Sequence, residues 1–403
     1  MSPPFKAKKF KIEYLTCAIG LGLILAWAGF NSPEFDNNIA LNVILIIGSL
    51  ALLLGASEII LEFSLKLAEF AGVSEIVIGL TIVSIGTSIP EMFTAVAAAT
   101  QGAGGFVLGD IYGSYITQLT IFLGIVIILA PATVNRKSVH HPFRDGILVI
   151  FALCFLSFNI SDGQLTRIEA GISMAIYALY SIYLLVDSKR HTRTRLEILQ
   201  FTHDMEVIQG MIPNGDLPVP QDQERPLSGH CGIPGQTPIT PTRCSKLKML
   251  SYVGIILIGA YFCYIGATYC VIGGVNIARG FQVPEHIVGA TIVGFGTGFP
   301  EFVVSIMAIR KKRVEIAYGN LIGSNIVDPL LSISIGVMVN PFTLDATSLA
   351  GILGFLLPFA IVVDVFIIFI FRRKKSTRTQ GRVFGLIFLG LYGGFLAGAL
   401  LLR

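Results

Sequence analysis

Residues 76–91, IVIGLTIVSIGTSIPE, return at 286–301 as HIVGATIVGFGTGFPE. A second matched pair follows at the same distance, GDIYGSYITQ at 109–118 and GNLIGSNIVD at 319–328. One constant offset of 210 positions aligns both pieces without a gap. Glu91 therefore corresponds to Glu301, Pro90 to Pro300, Thr87 to Thr297, Ser114 to Ser324 and Gln118 to Asp328. Each copy sets a carboxylate inside an apolar segment, which few architectures tolerate. In a membrane-crossing chain this marks a transport pathway built between two related halves.

The membrane reading follows from composition. Hydrophobic residues make up 53% of the chain and charged residues 13%, about half the charge of an ordinary soluble domain. Apolar runs long enough to span a bilayer recur from end to end. They predict eleven spans near 12–30, 40–70, 75–101, 106–130, 143–160, 168–186, 248–278, 284–310, 314–339, 347–371 and 380–402. Threading them with a cytoplasmic N-terminus places 26 of the 29 Lys and Arg on the cytoplasmic side, leaving Arg167, Arg279 and Arg403 outside. In that threading the Glu91 segment runs outward and the Glu301 segment inward. Five crossings separate them, so the two halves are inverted relative to one another.

The expected fold is an all-α polytopic membrane protein. Its ten-helix core consists of two inverted five-helix repeats, with one extra N-terminal helix. Residues 1–38 form the basic tail and the extra helix. KAKKFKIEYL and Ala26-Trp27-Ala28 fit an anchor or a signal peptide, and a retained helix is the expectation. Residues 39–186 form the first half and 248–403 the second. Residues 187–247 join them as a cytoplasmic linker. Its first part can form an amphipathic helix, and seven prolines from Pro213 to Pro241 make the rest extended. The six cysteines show no metal-binding spacing, and a zinc site from His230, Cys231 and Cys244 is not expected.

At helical rise, Glu91, Glu301, Gln118 and Asp328 fall within a turn or two of mid-span. An unpaired carboxylate there costs about 3 kcal/mol even on lenient insertion scales. Three such groups with no Lys or Arg at that depth require bound cations or protons. Thr87 and Glu91 are four residues apart, as are Thr297 and Glu301, Ser114 and Gln118, and Ser324 and Asp328. Each pair therefore shares a helix face. Pro90 and Pro300 are expected to free the carbonyls of Gly86 and Gly296. The resulting set of hard oxygens suits Ca2+ or Na+, and neither His nor Cys shares the depth.

GTSIPE with GDIYGSYITQ, and GTGFPE with GNLIGSNIVD, resemble the two alpha-repeats of the sodium/calcium exchanger family within the cation/calcium antiporter superfamily. The resemblance covers the second to eleventh spans. It implies overlapping Na+ and Ca2+ sites, with Glu91 and Glu301 as central ligands. It implies further oxygens from Thr87, Thr297 and Ser88, a middle site at Asp328, and Na+ contacts from Ser114 and Ser324. Three positions depart from the family pattern. Gly298 stands where a serine is usual, Gln118 where asparagine or aspartate is usual, and Tyr115 replaces the asparagine of GSN.

The resemblance makes the chain a secondary antiporter exchanging Ca2+ for Na+, with H+ coupling or another divalent ion as the alternative reading. It is not expected to be an enzyme: no YD, complete GxGD, HExxH or Ser/His arrangement occurs in a span. A channel could use the same oxygens, but the inverted repeat favours alternating access. The expected partners are Ca2+, Na+ or H+ and the lipid bilayer. No cofactor and no nucleic acid is expected, and the chain is expected to be a monomer in the cell membrane. Outside the central set, Asp110 is expected at an outer mouth, Asp364 paired with Arg372 or Arg373, and Glu62 paired with Lys66. His286 is expected at an outer helix start.

Overall fold

Two helices of unusual length, Ile39–Phe70 and Lys246–Phe281, run against each other along most of their course. At 32 and 36 residues they measure about 48 and 54 Å, well beyond the ~30 Å hydrocarbon core of a bilayer. Small residues bring them together. A Cβ on Gly266 would lie 3.0 Å from both the amide of Leu53 and the carbonyl of Ser49. The Cys263 thiol reaches the carbonyl of Leu53, and these two residues are 210 positions apart. The contact therefore joins equivalent points of the two halves.

The computed structural model describes residues 12–29, 38–70, 84–130, 142–190, 246–310, 314–371 and 377–401. Helices occupy the described part of every expected span, with ends within a few residues of those read from the sequence. Seven are long and apolar enough to cross a membrane, and two shorter apolar helices accompany them. The chain folds as an all-α polytopic protein, with two inverted five-helix repeats and an added N-terminal helix. That helix, Ile12–Gly29, lies so closely against Ile39–Phe70 that a Cβ on Gly20 would collide with the amide of Leu52. The start of the first repeated stretch, most of the linker, His140, His141, RKKR beyond Arg310, and Arg372 and Arg373 lie outside the described residues.

The two halves interlock at their repeated stretches. The helix Gly104–Thr117 crosses the segment Glu285–Thr297 backbone to backbone. Cβ atoms on Gly109, Gly113 and Gly289 would collide with the carbonyl oxygens of His286, Ala290 and Phe106. Only glycine permits that approach, as in small-residue crossings of membrane helices. In the other half, Val314–Val327 packs on Ser84–Thr87. π-helical turns begin at Gln118 and at Asp328, which are equivalent positions. Such turns displace side chains out of the regular helical register and recur at functional sites.

Short polar devices tie one end of the bundle. Gln164–Leu165 pairs with Phe342–Thr343, and Arg167 donates to the carbonyls of Met338 and Val339. Asp345 caps the helix Ala346–Gly351 by accepting from the Ser348 N–H at 2.8 Å. The expected Lys66–Glu62 pair forms within Ile39–Phe70.

Candidate ion-binding site

Each repeated stretch breaks two residues before its Pro-Glu pair. The helix Ser84–Thr87 stops and Ile89–Gln101 starts on the other side of Ser88, where φ is −87° and ψ 10°. Gly294–Thr297 and Phe299–Arg310 are likewise separated by Gly298, with φ −74° and ψ 0°. A proline at the second position of the new helix removes the amide that would have continued the old one. Glu91 and Glu301 thus stand in the first turns of the new helices, and both are fully buried. One detail differs from expectation. The carbonyl of Gly296 accepts the N–H of Gly298 and is not free. Gly86 and Gly296 also serve as close-packing points, receiving Leu61 and Leu50 of Ile39–Phe70.

The four expected mid-span groups converge, and Asp110 joins them. Glu91 lies within electrostatic reach of Glu301, Asp328 and Asp110. Glu301 in turn feels Asp328. Neither carboxylate oxygen of Glu91 or of Glu301 has a hydrogen-bond partner in the protein, and one oxygen each of Asp328 and Asp110 is likewise unpartnered. Asp328 keeps one bond, accepted from Ser332 at 3.0 Å. Among the described residues no three His, Cys, Asp or Glu side chains converge tightly enough to hold a metal ion alone. An ion here must therefore be completed by neutral oxygens. Those at hand are the Thr87 hydroxyl beside Glu301 and the Ser88 hydroxyl beside Asp328. This donor set is hard and suits Ca2+ or Na+.

Asp110 corrects the sequence reading. Rather than lining an outer mouth, it is buried and accepts from Thr297 Oγ1 at 2.9 Å. The same hydroxyl lies 3.2 Å from Val293 O, so the two acceptors share its one proton. The equivalent of Asp110 in the second half is Asn320, which donates to the Glu301 carbonyl at 2.9 Å. Neither was singled out as a ligand, although both sit in the quoted repeat. The polar character of both copies at that position was the available signal.

The remaining site residues follow the inverted symmetry and then break it. Ser88 faces Asp328. By the same symmetry Gly298 faces Gln118, and a Cβ on Gly298 would lie 3.4 Å from Gln118 Nε2. Gln118 Oε1 accepts from Ser324 Oγ at 2.6 Å and from Asn325 Nδ2 at 3.0 Å. Ser114 is buried and bonds back to Ile111 O. Asp364 accepts a hydrogen bond from Tyr115, which is itself one of the three departures from the family pattern. Its expected arginine partners are outside the described residues. His286 is buried, with Nδ1 3.4 Å from Ser348 Oγ.

The sodium/calcium exchanger MaX1 of Methanosarcina acetivorans is 26% identical over 336 residues, spanning 82% of this chain and 92% of that protein. Inner membrane protein YrbG of Escherichia coli is 24% identical over 353 residues, spanning 88% and 94%. The crystal structure of the H+/Ca2+ exchanger CAX superposes with a TM-score of 0.52 at 16% identity, covering 97% of this chain and 95% of that one. That likeness concerns the fold. Residues 41–186 and 251–401 match the family described as sodium/calcium exchanger protein, so the chain belongs to that family of cation/Ca2+ antiporters, integral to the membrane.

Proposed function

We propose that the protein exchanges Ca2+ for Na+ by alternating access, in the cell membrane, with its N-terminus and the 187–247 loop cytoplasmic. The observation that carries this reading is the pair Glu91 and Glu301, one from each half, buried with all four carboxylate oxygens unpartnered. Two negative charges in low dielectric accept one divalent ion or its monovalent equivalents, but not both sets at once. Glu91 and Glu301 are the central ligands, Thr87 and Ser88 add neutral oxygens, and Asp328 holds a neighbouring position. Thr297, Ser114 and Ser324 orient the wall around them. With Asp110 and Asp328 protonated, the site loaded with one Ca2+ carries little net charge and can be re-exposed; the half-loaded site carries an excess and cannot. Ile39–Phe70 and Lys246–Phe281 slide together across the interlocked core to open one face or the other.

The name of one relative, the sodium/calcium exchanger MaX1, supports this reading. Coupling to H+ is the second reading. It is favoured by Gly298, which leaves one hydroxyl fewer for Na+. The test is uptake of labelled Ca2+ into proteoliposomes under an outward Na+ gradient, compared with an outward H+ gradient. Uptake driven by the Na+ gradient, and abolished in Glu91→Gln, is the expected result. Uptake that follows the pH gradient alone would replace Na+ by H+. Flux without any counter-ion would turn the reading toward a channel.

A further inference from the structure

The two halves of the site are not equivalent, and the difference lies in one side chain. On one side Asp328 meets Ser88, an acidic oxygen beside a hydroxyl. On the other, the equivalent contact is Gln118 against Gly298. The orientation of the Gln118 amide follows from its neighbours. Asn325 Nδ2 donates to the carbonyl of Leu321, so that atom is a nitrogen, and its second N–H reaches Gln118 Oε1 at 3.0 Å. Ser324 Oγ, 2.6 Å away, contacts the same oxygen. With Oε1 held by both, Nε2 points away from them toward Gly298. There it is buried without an acceptor.

We propose that Gln118 is a specificity-determining residue whose amide N–H group closes one monovalent-cation position of the site, leaving Asp328 with Ser88 as the position where the coupling ion binds beside the glutamates. This deepens the antiporter reading and rests on it. An N–H group presents positive charge to the space it faces, so a cation is repelled from oxygens within its reach. A hydrogen-bond donor fixed by two partners on the opposite repeat cannot turn its oxygen inward without breaking both bonds. The glycine is the complement of the glutamine. A Cβ at 298 would just touch Nε2 at 3.4 Å and the carbonyl of Gly294 at 3.3 Å, so a larger side chain such as serine has little room for its Oγ beside the glutamine. The longer residue at 118 and the missing side chain at 298 are therefore one adaptation.

The test is Na+ displacement of Ca2+ from purified full-length protein, read by calorimetry, for the parent, Gly298→Ser, Gln118→Asn and the double variant. Asparagine is one methylene shorter and withdraws the amide, and the serine hydroxyl introduced at 298 then adds an oxygen. The double variant is expected to need roughly fivefold less Na+ for half-displacement, the effect of about one added polar contact. Gly298→Ser alone is expected to weaken Ca2+ binding, with Gln118→Asn restoring it. Gln118→Asn alone, which introduces no clash, is expected to shift the Na+ titration in the same direction as the double variant. Unchanged Na+ titrations in both variants that carry Gln118→Asn, with Ca2+ still bound, would overturn the proposal. So would the full gain appearing in Gly298→Ser with Gln118 retained. If parent Ca2+ binding ignores Na+ but the double variant responds, the Na+ reading fails while this inference stands. The reverse pattern separates them the other way.

Discussion

The carboxylates at 91 and 301 are buried without hydrogen-bond partners, an arrangement unfavourable for folding that the proposed ion binding would offset. A buried carboxylate without a hydrogen bond destabilises its surroundings, so replacing it by its neutral isostere need not destabilise the protein. Glu91→Gln and Glu301→Gln are expected to lower Ca2+ affinity by more than about a hundredfold, beyond the roughly 10–100-fold seen when outer-shell partners of a metal are changed. Their thermal midpoints in ion-free buffer should equal or exceed the parent's, which differential scanning fluorimetry would check. A lower midpoint would mean that the glutamates are structural. Asp345 behaves in the opposite way. Partial burial pushes its carboxyl up, but bonds from the Ser348 hydroxyl and N–H outweigh this and hold it below the ordinary carboxylate range. A depressed acid contributes stability above its unfolded pKa and loses it as pH falls through the folded one. Asp345→Ala is therefore expected to cost ~1 kcal/mol near neutrality, the usual value of a lost N-cap. The difference from the parent should shrink below about pH 4 in pH-dependent melting.

At the scale of elements, the crossing of Gly104–Thr117 over Glu285–Thr297 is the joint that aligns the polar groups of the two halves. A methyl at position 113 would collide with the carbonyl of Ala290, a backbone atom that cannot swing aside. Gly113→Ala is expected to cost about 1–3 kcal/mol by overpacking and to lower Ca2+ affinity by displacing Ser114 and Gln118 one turn along. Binding calorimetry with melting data would test both. A fully stable, fully active Gly113→Ala would show that the helices can separate freely. The breaks before Pro90 and Pro300 were legible in the sequence, because proline and glycine act locally. The close crossing was not. It depends on which faces of distant helices meet, and the glycines by themselves read equally well as sites of unwinding. Gly86 and Gly296 stand two residues before such breaks, and each also accommodates a leucine from Ile39–Phe70.

Over the whole molecule, acidic groups from both halves meet in one cluster, so an ion bound there, as proposed, would link the halves. Saturating Ca2+ is expected to stabilise the parent by about 2.7 kcal/mol at a hundredfold excess over its Kd. The shift should vanish in Glu91→Gln and Glu301→Gln, measured as the ion-dependent change in melting midpoint. Equal stabilisation of the variants would place Ca2+ elsewhere. The sequence alone determined the class of fold, the helix positions, the family and the central pair of glutamates. Fold class and helix positions rest on periodicity and charge placement, the glutamate pair on an unbroken internal repeat, and the family on the resemblance of the two motifs to its alpha-repeats. Only the tertiary structure decided that Asp110 belongs to the centre, that Thr297 is bonded to it, and that Gln118 lies over Gly298. Those contacts join residues from opposite halves of the chain, and their chemistry depends on side-chain orientation at a helix crossing that no linear pattern encodes.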